Sequence, residues 1–425
     1  MNVLIQLSHP AHFHLYKNIA RGLMEDGHQV LFVIKSKDIL EQLLIDAGLP
    51  YVNINQHAHR GSKLGILWDM LVRDWRILRL CRKHKIDLIT GSTPETAHVS
   101  WLLRIHGVNT GEDDAAVVPA FGKVTAPFIQ CLVVPIPCNT GSMERNTVHY
   151  PGYHELAYLH PNHFTPDPKI VEAYGIDTSK PYFVMRFASL NAHHDSGIKG
   201  INTEIAQRLI DILENSGSAC SLSDQLVPFS PACSLSTSSG NKLVPLSTNS
   251  TSGNKPCIYI TSERPLEPQF EKYRIKINPL DMHHVMAFAS LYIGDSQTMA
   301  AEAGVLGVPF VRFNDFVGRI GYLRELEDVY ELGYGIHATP LASDSPIRRA
   351  DGSVQPSGVE ELYKRVEQLV AMPSEERRAT FQQRREKMLS DKIDCAKFLT
   401  YFIEKYPQSV EETKMADKEF WEKFK

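Results

Sequence analysis

The chain has 425 residues, too many for one ordinary hydrophobic core, so two domains with appendages are expected. With 43% hydrophobic and 22% charged residues the composition is that of a globular chain, and a net charge of −4 offers no basic surplus for nucleic acid as a partner. The longest apolar runs, such as Phe128–Pro135, fall far short of the ~20 residues a bilayer-crossing helix needs.

In chain order, the first half alternates strand and helix signals over short connections, the pattern of a parallel sheet covered on both faces. Val3–Leu7 reads as strand one rather than as an export signal, which points to a cytoplasmic chain. Leu15–Glu25 reads as a helix closed by Gly27, Val30–Ile34 as strand two, Ile39–Ala47 as a helix closed by Gly48, and Tyr51–Ile54 as strand three. A long amphipathic segment, Leu64–His84, leads to strand four at Ile86–Thr90 and a helix over Thr96–Ile105. A weak strand at Val108–Gly111 and a clearer sixth at Ile129–Val134 follow. From Pro135 to about Pro168 the chain is rich in Pro, His and Tyr and poor in periodicity, as an interdomain connection would be.

A second series begins with a strand at Tyr182–Arg186 and a helix at Ile201–Leu213. Strands at Ile258–Ile260 and Ile275–Ile277, a short helix at His283–Ala289 and a strand–turn–helix at Leu291–Pro309 complete it, and Phe310–Phe313 opens another strand. Residues 217–256 fit neither series: Ser, Thr, Asn, Gly and Pro dominate, and Cys220-Ser-Leu-Ser returns as Cys233-Ser-Leu-Ser. Such a composition cannot offset its ordering entropy, so a disordered insertion without function is expected. Two Rossmann-like domains follow, over 1–165 and 166–350, with helices and a polar tail over 355–425. Trp421 in that tail reads as docking on the first domain, since the surrounding charges are mixed, with peripheral contact to a membrane surface as the alternative.

Candidate chemistry sits in the loops after strands. Leu7–His14 places His9, His12 and His14 beyond strand one, where doubly wound folds bind ligands; an imidazole there suits a general base, His12 foremost, while His9 and His12 could instead cap the turn. Glu112-Asp-Asp114 could chelate a cation, orient an acceptor hydroxyl or cap a helix starting near Ala115, and Ser92–Glu95 is equally ambiguous. Arg186 offers a guanidinium fork to phosphate, with His194 and Asp195 further along the same loop. In Gly294-Asp-Ser-Gln297, Asp295 or Ser296 can cap the following helix, whose first-turn N–H groups and positive dipole end suit a diphosphate. Glu302 lies six residues past Ser296, about 9 Å by helix rise, a span suited to the ribose of the same nucleotide. Histidine is abundant, at 18, yet no HxxxH or HExxH spacing marks a metal site, and the seven cysteines form no CxxC pair.

Ser8–His14 together with Gly294-Asp-Ser296 and Glu302 resembles a prokaryotic family catalogued as a domain of unknown function, number three-five-four. That family is similar to GT-B nucleotide-sugar glycosyltransferases and to non-hydrolysing UDP-N-acetylglucosamine 2-epimerases. The resemblance implies a GT-B-like α/β fold, two parallel sheets facing across a cleft. Asp295, Ser296 and Gln297 would then bind the diphosphate, Glu302 the ribose, and His12 would stand where some transferases keep a base. The chain has Gln297-Thr298 where such epimerases carry Gly-Gly, and Arg186-Phe-Ala-Ser-Leu-Asn where they carry His-Arg-Arg-Glu-Asn. Transfer from a nucleotide-sugar donor to a sugar or lipid-linked acceptor, in polysaccharide or cell-envelope assembly, is therefore expected ahead of epimerisation, with no cofactor beyond the nucleotide sugar itself.

Overall fold

The computed structural model describes residues 1–35, 38–55, 63–188, 200–216, 257–339 and 358–425. The insertion expected at 217–256, and His194 and Asp195, lie outside the described residues.

The first lobe runs β1 (Asn2–Leu7), α1 (Pro10–Glu25), β2 (Gln29–Lys35), α2 (Asp38–Asp46), β3 (Tyr51–Asn55), α3 (Lys63–His84), β4 (Leu88–Gly91), α4 (Pro94–Leu103), β5 (His106–Thr110), α5 (Pro119–Thr125), β6 (Cys131–Pro135) and β7 (Thr147–Tyr150). Its strands form one parallel sheet in the order β3-β2-β1-β4-β5-β6-β7. A short α6 (Pro168–Glu172) leads into the second lobe: β8 (Tyr182–Phe187), α7 (Thr203–Ser216), β9 (Cys257–Ser262), α8 (Met282–Ala287), β10 (Leu291–Gly294), α9 (Gln297–Val305), β11 (Phe310–Phe313), α10 (Gly321–Arg324) and β12 (Gly333–Ile336). This sheet is also parallel, in the order β12-β11-β10-β8-β9. Five further helices finish the chain: α11 (Gly358–Ala371), α12 (Ser374–Asp391), α13 (Cys395–Glu404), α14 (Gln408–Lys414) and α15 (Lys418–Glu422).

This is the two-sheet α/β architecture the sequence predicts. Strands covered on both faces must be apolar on both, and β4, β6, β10 and β11 are buried at every residue. Helices need only one apolar stripe, and α7 buries Ile205, Leu209, Ile212 and Leu213 while leaving its polar residues outside.

Some expectations fail locally. The supposed connection after Pro135 contains β7, which extends the first sheet by a seventh strand. Ile275–Ile277 is not a strand; only Arg274 bridges to Ile260. The helix expected near Ala115 starts at Pro119, because Asp114 turns its carboxylate to the N–H groups of Asn139 and Gly321 instead of capping. No strand was anticipated at β12, whose Gly333-Tyr-Gly-Ile336 carries a weak strand signal.

The C-terminal helices return to the first lobe. Phe398, Leu399, Phe402 and Ile403 of α13 are fully buried in the core that contains α1, and Thr400 packs where a side chain on Gly22 would stand. Trp421 packs against Phe398 with ring centres 5.4 Å apart, so the tail docks as expected.

Candidate functional site

In a doubly wound sheet, ligands collect beyond the carboxyl ends of the strands where the strand order reverses. In the first sheet the reversal falls between β1 and β4, beside Ser8–His14 and Ser92–Glu95; in the second it falls between β8 and β10, where Arg186 pairs in register with Gly294. The loops singled out in the sequence thus flank both crevices.

The strand-to-helix turn of the second lobe is tightly specified. A Cβ on Gly294 would meet the Tyr292 hydroxyl at 2.5 Å and the Arg186 carbonyl at 2.9 Å, so the strand must end in glycine. Asp295 is buried and accepts the N–H groups of Ala188 at 2.6 Å and Ile201 at 3.3 Å. Burial pushes its pKa up to about 6 against the pull of those N–H groups. It clamps backbone rather than facing a phosphate, which corrects the ligand role expected of it. Ser296 is the N-cap of α9, accepting the Met299 N–H at 3.5 Å, and Ser296, Gln297 and Thr298 stay partly exposed. The helix start is therefore open, its first-turn N–H groups outside that cap. Arg186 donates from Nη2 to Glu263 at 2.6 Å, while its buried Nε has no partner among the described residues.

Glu302 is nearly buried, and Oε1 accepts two bonds at 2.9 Å, one from the Tyr158 hydroxyl and one with His283 Nε2. Tyr158 belongs to the connection between the lobes, so this carboxylate sits at their seam. The His14 ring lies 4.9 Å edge-on from His283 and 5.3 Å from Tyr158. Lys17, one turn along α1, lies 5.9 Å over Tyr158; burial and then Arg21 push its pKa down to about 8. Three elements from both lobes converge on Glu302.

The histidines expected in a loop belong to the start of α1. His9 is its N-cap, its ring nitrogen accepting the Ala11 N–H at 3.2 Å, with Pro10 in the first turn. His14 is buried, and desolvation followed by the charges of His283 and Lys17 holds its pKa well below the usual imidazole range. His12 is partly exposed; desolvation, then His9, His154 and Lys35, push its pKa down to about 3. Its Nδ1 faces the Ser8 N–H at 3.4 Å, an arrangement that puts the ring proton on Nε2 and makes that atom a donor.

Sequence reading missed His154. It lies beyond β7, 8% exposed, with Nδ1 3.2 Å from Glu112 Oε2 and a buried Nε2 that has no partner among the described residues. Glu112 Oε2 is likewise buried with no hydrogen-bond partner among the described residues, so the two side chains approach each other without hydrogen-bond geometry. The only hint in the sequence was Glu112 itself, read as a chelator, an orienting group or a cap. Next to it, Glu155 is fully buried with neither oxygen bonded among the described residues, and burial followed by the Glu112 charge raises its pKa well above the carboxylate range. Glu95, by contrast, is structural: burial would raise its pKa, but Lys35 and Arg73, the latter at 2.6 Å, hold it at about 2. Among the described residues no group of three His, Cys, Asp or Glu side chains is arranged to hold a metal ion, and no helix is long and apolar enough to cross a membrane.

No family model matches the chain, and no curated protein matches it in sequence. Solved structures match its fold. UDP-GlcNAc 2-epimerase from Neisseria meningitidis bound to UDP-GlcNAc aligns with a TM-score of 0.58 at 12% identity, over 95% of this chain and 100% of that one. The S. aureus MnaA–UDP structure gives 0.58 at 7% identity, over 97% and 98%. The spinosyn rhamnosyltransferase SpnG complexed with spinosyn aglycone gives 0.54 at 14% identity, over 94% and 100%. The likeness at these identities is one of fold: the GT-B arrangement common to these transferases and epimerases.

Proposed function

We propose that the chain is a GT-B-type glycosyltransferase that moves a sugar from a nucleoside diphosphate donor, UDP-like, to an acceptor held by the first lobe. Polysaccharide or cell-envelope assembly is the setting we assign to it. The observation that carries this reading is the seam itself: an open helix start at Ser296, a carboxylate at Glu302 two turns on, and a histidine–carboxylate pair across from them on the first lobe.

In this reading the first-turn N–H groups of α9 hold the diphosphate and offset the charge it gains on leaving. Gln297, at the first helical position, narrows the approach to those groups. Glu302 takes the ribose hydroxyls through Oε2, or through Oε1 by displacing Tyr158. To offer its full fork, Arg186 would have to exchange Glu263 for a phosphate oxygen. His154, beside Glu112, removes the proton from the acceptor hydroxyl, and His12 donates from Nε2 to a neighbouring oxygen. The structural relatives bind UDP-GlcNAc, UDP or an aglycone by their titles, which supports a nucleotide sugar and a separate acceptor as the two ligands.

One observation favours a second reading, epimerisation. Glu112 and His154 lie beside Glu155, whose carboxyl burial pushes toward its neutral form, so a base and an acid would stand side by side as proton exchange at a sugar carbon needs. Incubating the protein with UDP-sugars, with and without candidate acceptors, and following the sugar by NMR separates the two. A transferase leaves the donor intact until an acceptor is added; an epimerase yields an isomer without one.

A further inference from the structure

We infer that the outer face of α3 is a docking surface for an anionic lipid bilayer. The chain has four tryptophans, and three are more than half exposed: Trp68 at 59%, Trp75 at 56% and Trp101 at 55%. All three lie on the α3–α4 side of the first sheet, joined there by Leu71 at 51% and Leu102 at 60%. A globular surface seldom leaves large aromatic side chains so bare without a partner, and tryptophan is the residue that favours the membrane–water boundary.

The charges on the same helix select the partner. Trp68, Leu71, Trp75, Arg79 and Arg82 are exposed and recur at the spacing of one helical stripe, apolar at its start and basic at its end, with Lys83 exposed beside them. Asp69 flanks the apolar end. The other charges of α3 near its middle face inward and are already used: Arg73 pairs with Glu95 at 2.6 Å and Asp74 with His98 at 3.0 Å. Arg79 stacks 4.8 Å over the Trp75 ring. Between this helix and the edge strand β3 lies a pocket of about 590 Å³, walled by Ile54, Trp75, Arg76, Arg79, Leu80 and Lys83. Arg76 is anchored there by donating to the Ile54 carbonyl. A cavity lined by two guanidiniums, an ammonium and apolar carbon, beside exposed indoles, fits the phosphate headgroup of a lipid whose neighbours receive the tryptophans. That basic cluster is local, since the whole chain carries a net charge of −4.

Docking through α3 would hold the first lobe against a surface able to carry a lipid-linked acceptor. Only that link to catalysis rests on the transferase reading; the docking stands apart from it.

The test is co-sedimentation of the full chain with vesicles of phosphatidylcholine alone and of phosphatidylcholine mixed with phosphatidylglycerol. The wild-type protein is expected to pellet with the mixed vesicles, to be released by high salt, and to show a blue-shifted tryptophan emission when bound. Arg79→Glu with Lys83→Glu should weaken binding at least about 25-fold, roughly fivefold per basic residue lost, with an unchanged melting temperature and unchanged UDP binding. Trp68→Ala with Trp75→Ala should abolish the emission shift and weaken binding. The inference is overturned if the wild-type protein stays in the supernatant with mixed vesicles, if neutral vesicles bind it equally well, or if folded variants bind like wild type. A dimer that dissociates in the tryptophan variant, without vesicle binding, would assign this face to a second copy of the chain and likewise overturn it.

Discussion

A carboxylate sealed at a strand end weakens a fold unless its oxygens are used, and Asp295 uses both on backbone N–H groups. Asp295→Ala strands the N–H groups of Ala188 and Ile201 and is expected to cost about 3 kcal/mol in urea denaturation. His12 sets a pH dependence of definite sign. Its native pKa, about 3, lies below the ordinary imidazole value of 6.5, so between these values the unfolded chain binds the extra proton. The contribution of the neutral ring is complete above pH 6.5 and is lost as pH falls toward 3. Asp295, raised to about 6, acts oppositely: its cost is relieved as pH falls through 6. His12→Asn should therefore flatten the acid limb of the stability curve, saving roughly 1–2 kcal/mol between pH 6.5 and pH 5, measured by denaturation across that range. At this scale the cap at Ser296 and the place of Glu302 along the same helix were legible in the sequence, because both lie on one short helix whose spacing can be counted. It missed the Glu112–His154 pair, because those residues follow different strands and meet only once β7 joins the sheet.

The elements follow the periodicity of the chain where packing agrees with local preference, and depart from it where tertiary contacts decide. Helix α1 begins at Pro10 rather than Leu15, because His9 supplies the cap and Pro10 fits the first turn; the three histidines thereby leave the loop assigned to them. Strand β7 was hidden in a Pro- and His-rich stretch, and only its pairing with β6 makes Thr147–Tyr150 extended. Asp114 left its capping position because it closes the seam, accepting the Gly321 N–H at 2.6 Å. The turn after β10 can be tested at one atom. Gly294→Ala sets a methyl against the Tyr292 hydroxyl and the Arg186 carbonyl, and is expected to cost about 1–3 kcal/mol. UDP affinity should fall with stability, since the displaced strand end carries the start of α9; calorimetric titration of the variant checks this.

The molecule is held together across its lobes as well as within them. At one seam Gly321 lies so close to the first lobe that a Cβ would sit 2.0 Å from the Pro137 carbonyl, and at another Glu302 and Tyr158 meet at 2.9 Å. The chain then doubles back, and α13 completes the core of the lobe in which the sequence began. Phe398→Ala, at a fully buried ring, should cost about 3–5 kcal/mol although it lies far from the N-terminus in sequence. A sequence can announce the two parallel sheets through repeated strand–helix signals; it cannot announce which lobe the last helices cover, since a single apolar stripe fits either. The claim that joins these scales is that a nucleoside diphosphate rests on the start of α9 with Glu302 gripping its sugar. Isothermal titration of the wild-type protein with UDP, repeated on Glu302→Gln, tests it most directly. The account predicts saturable one-to-one binding by the wild type and at least tenfold weaker binding by a variant that still melts cooperatively. Absence of binding by the wild type, or equal affinity in the two proteins, would contradict it.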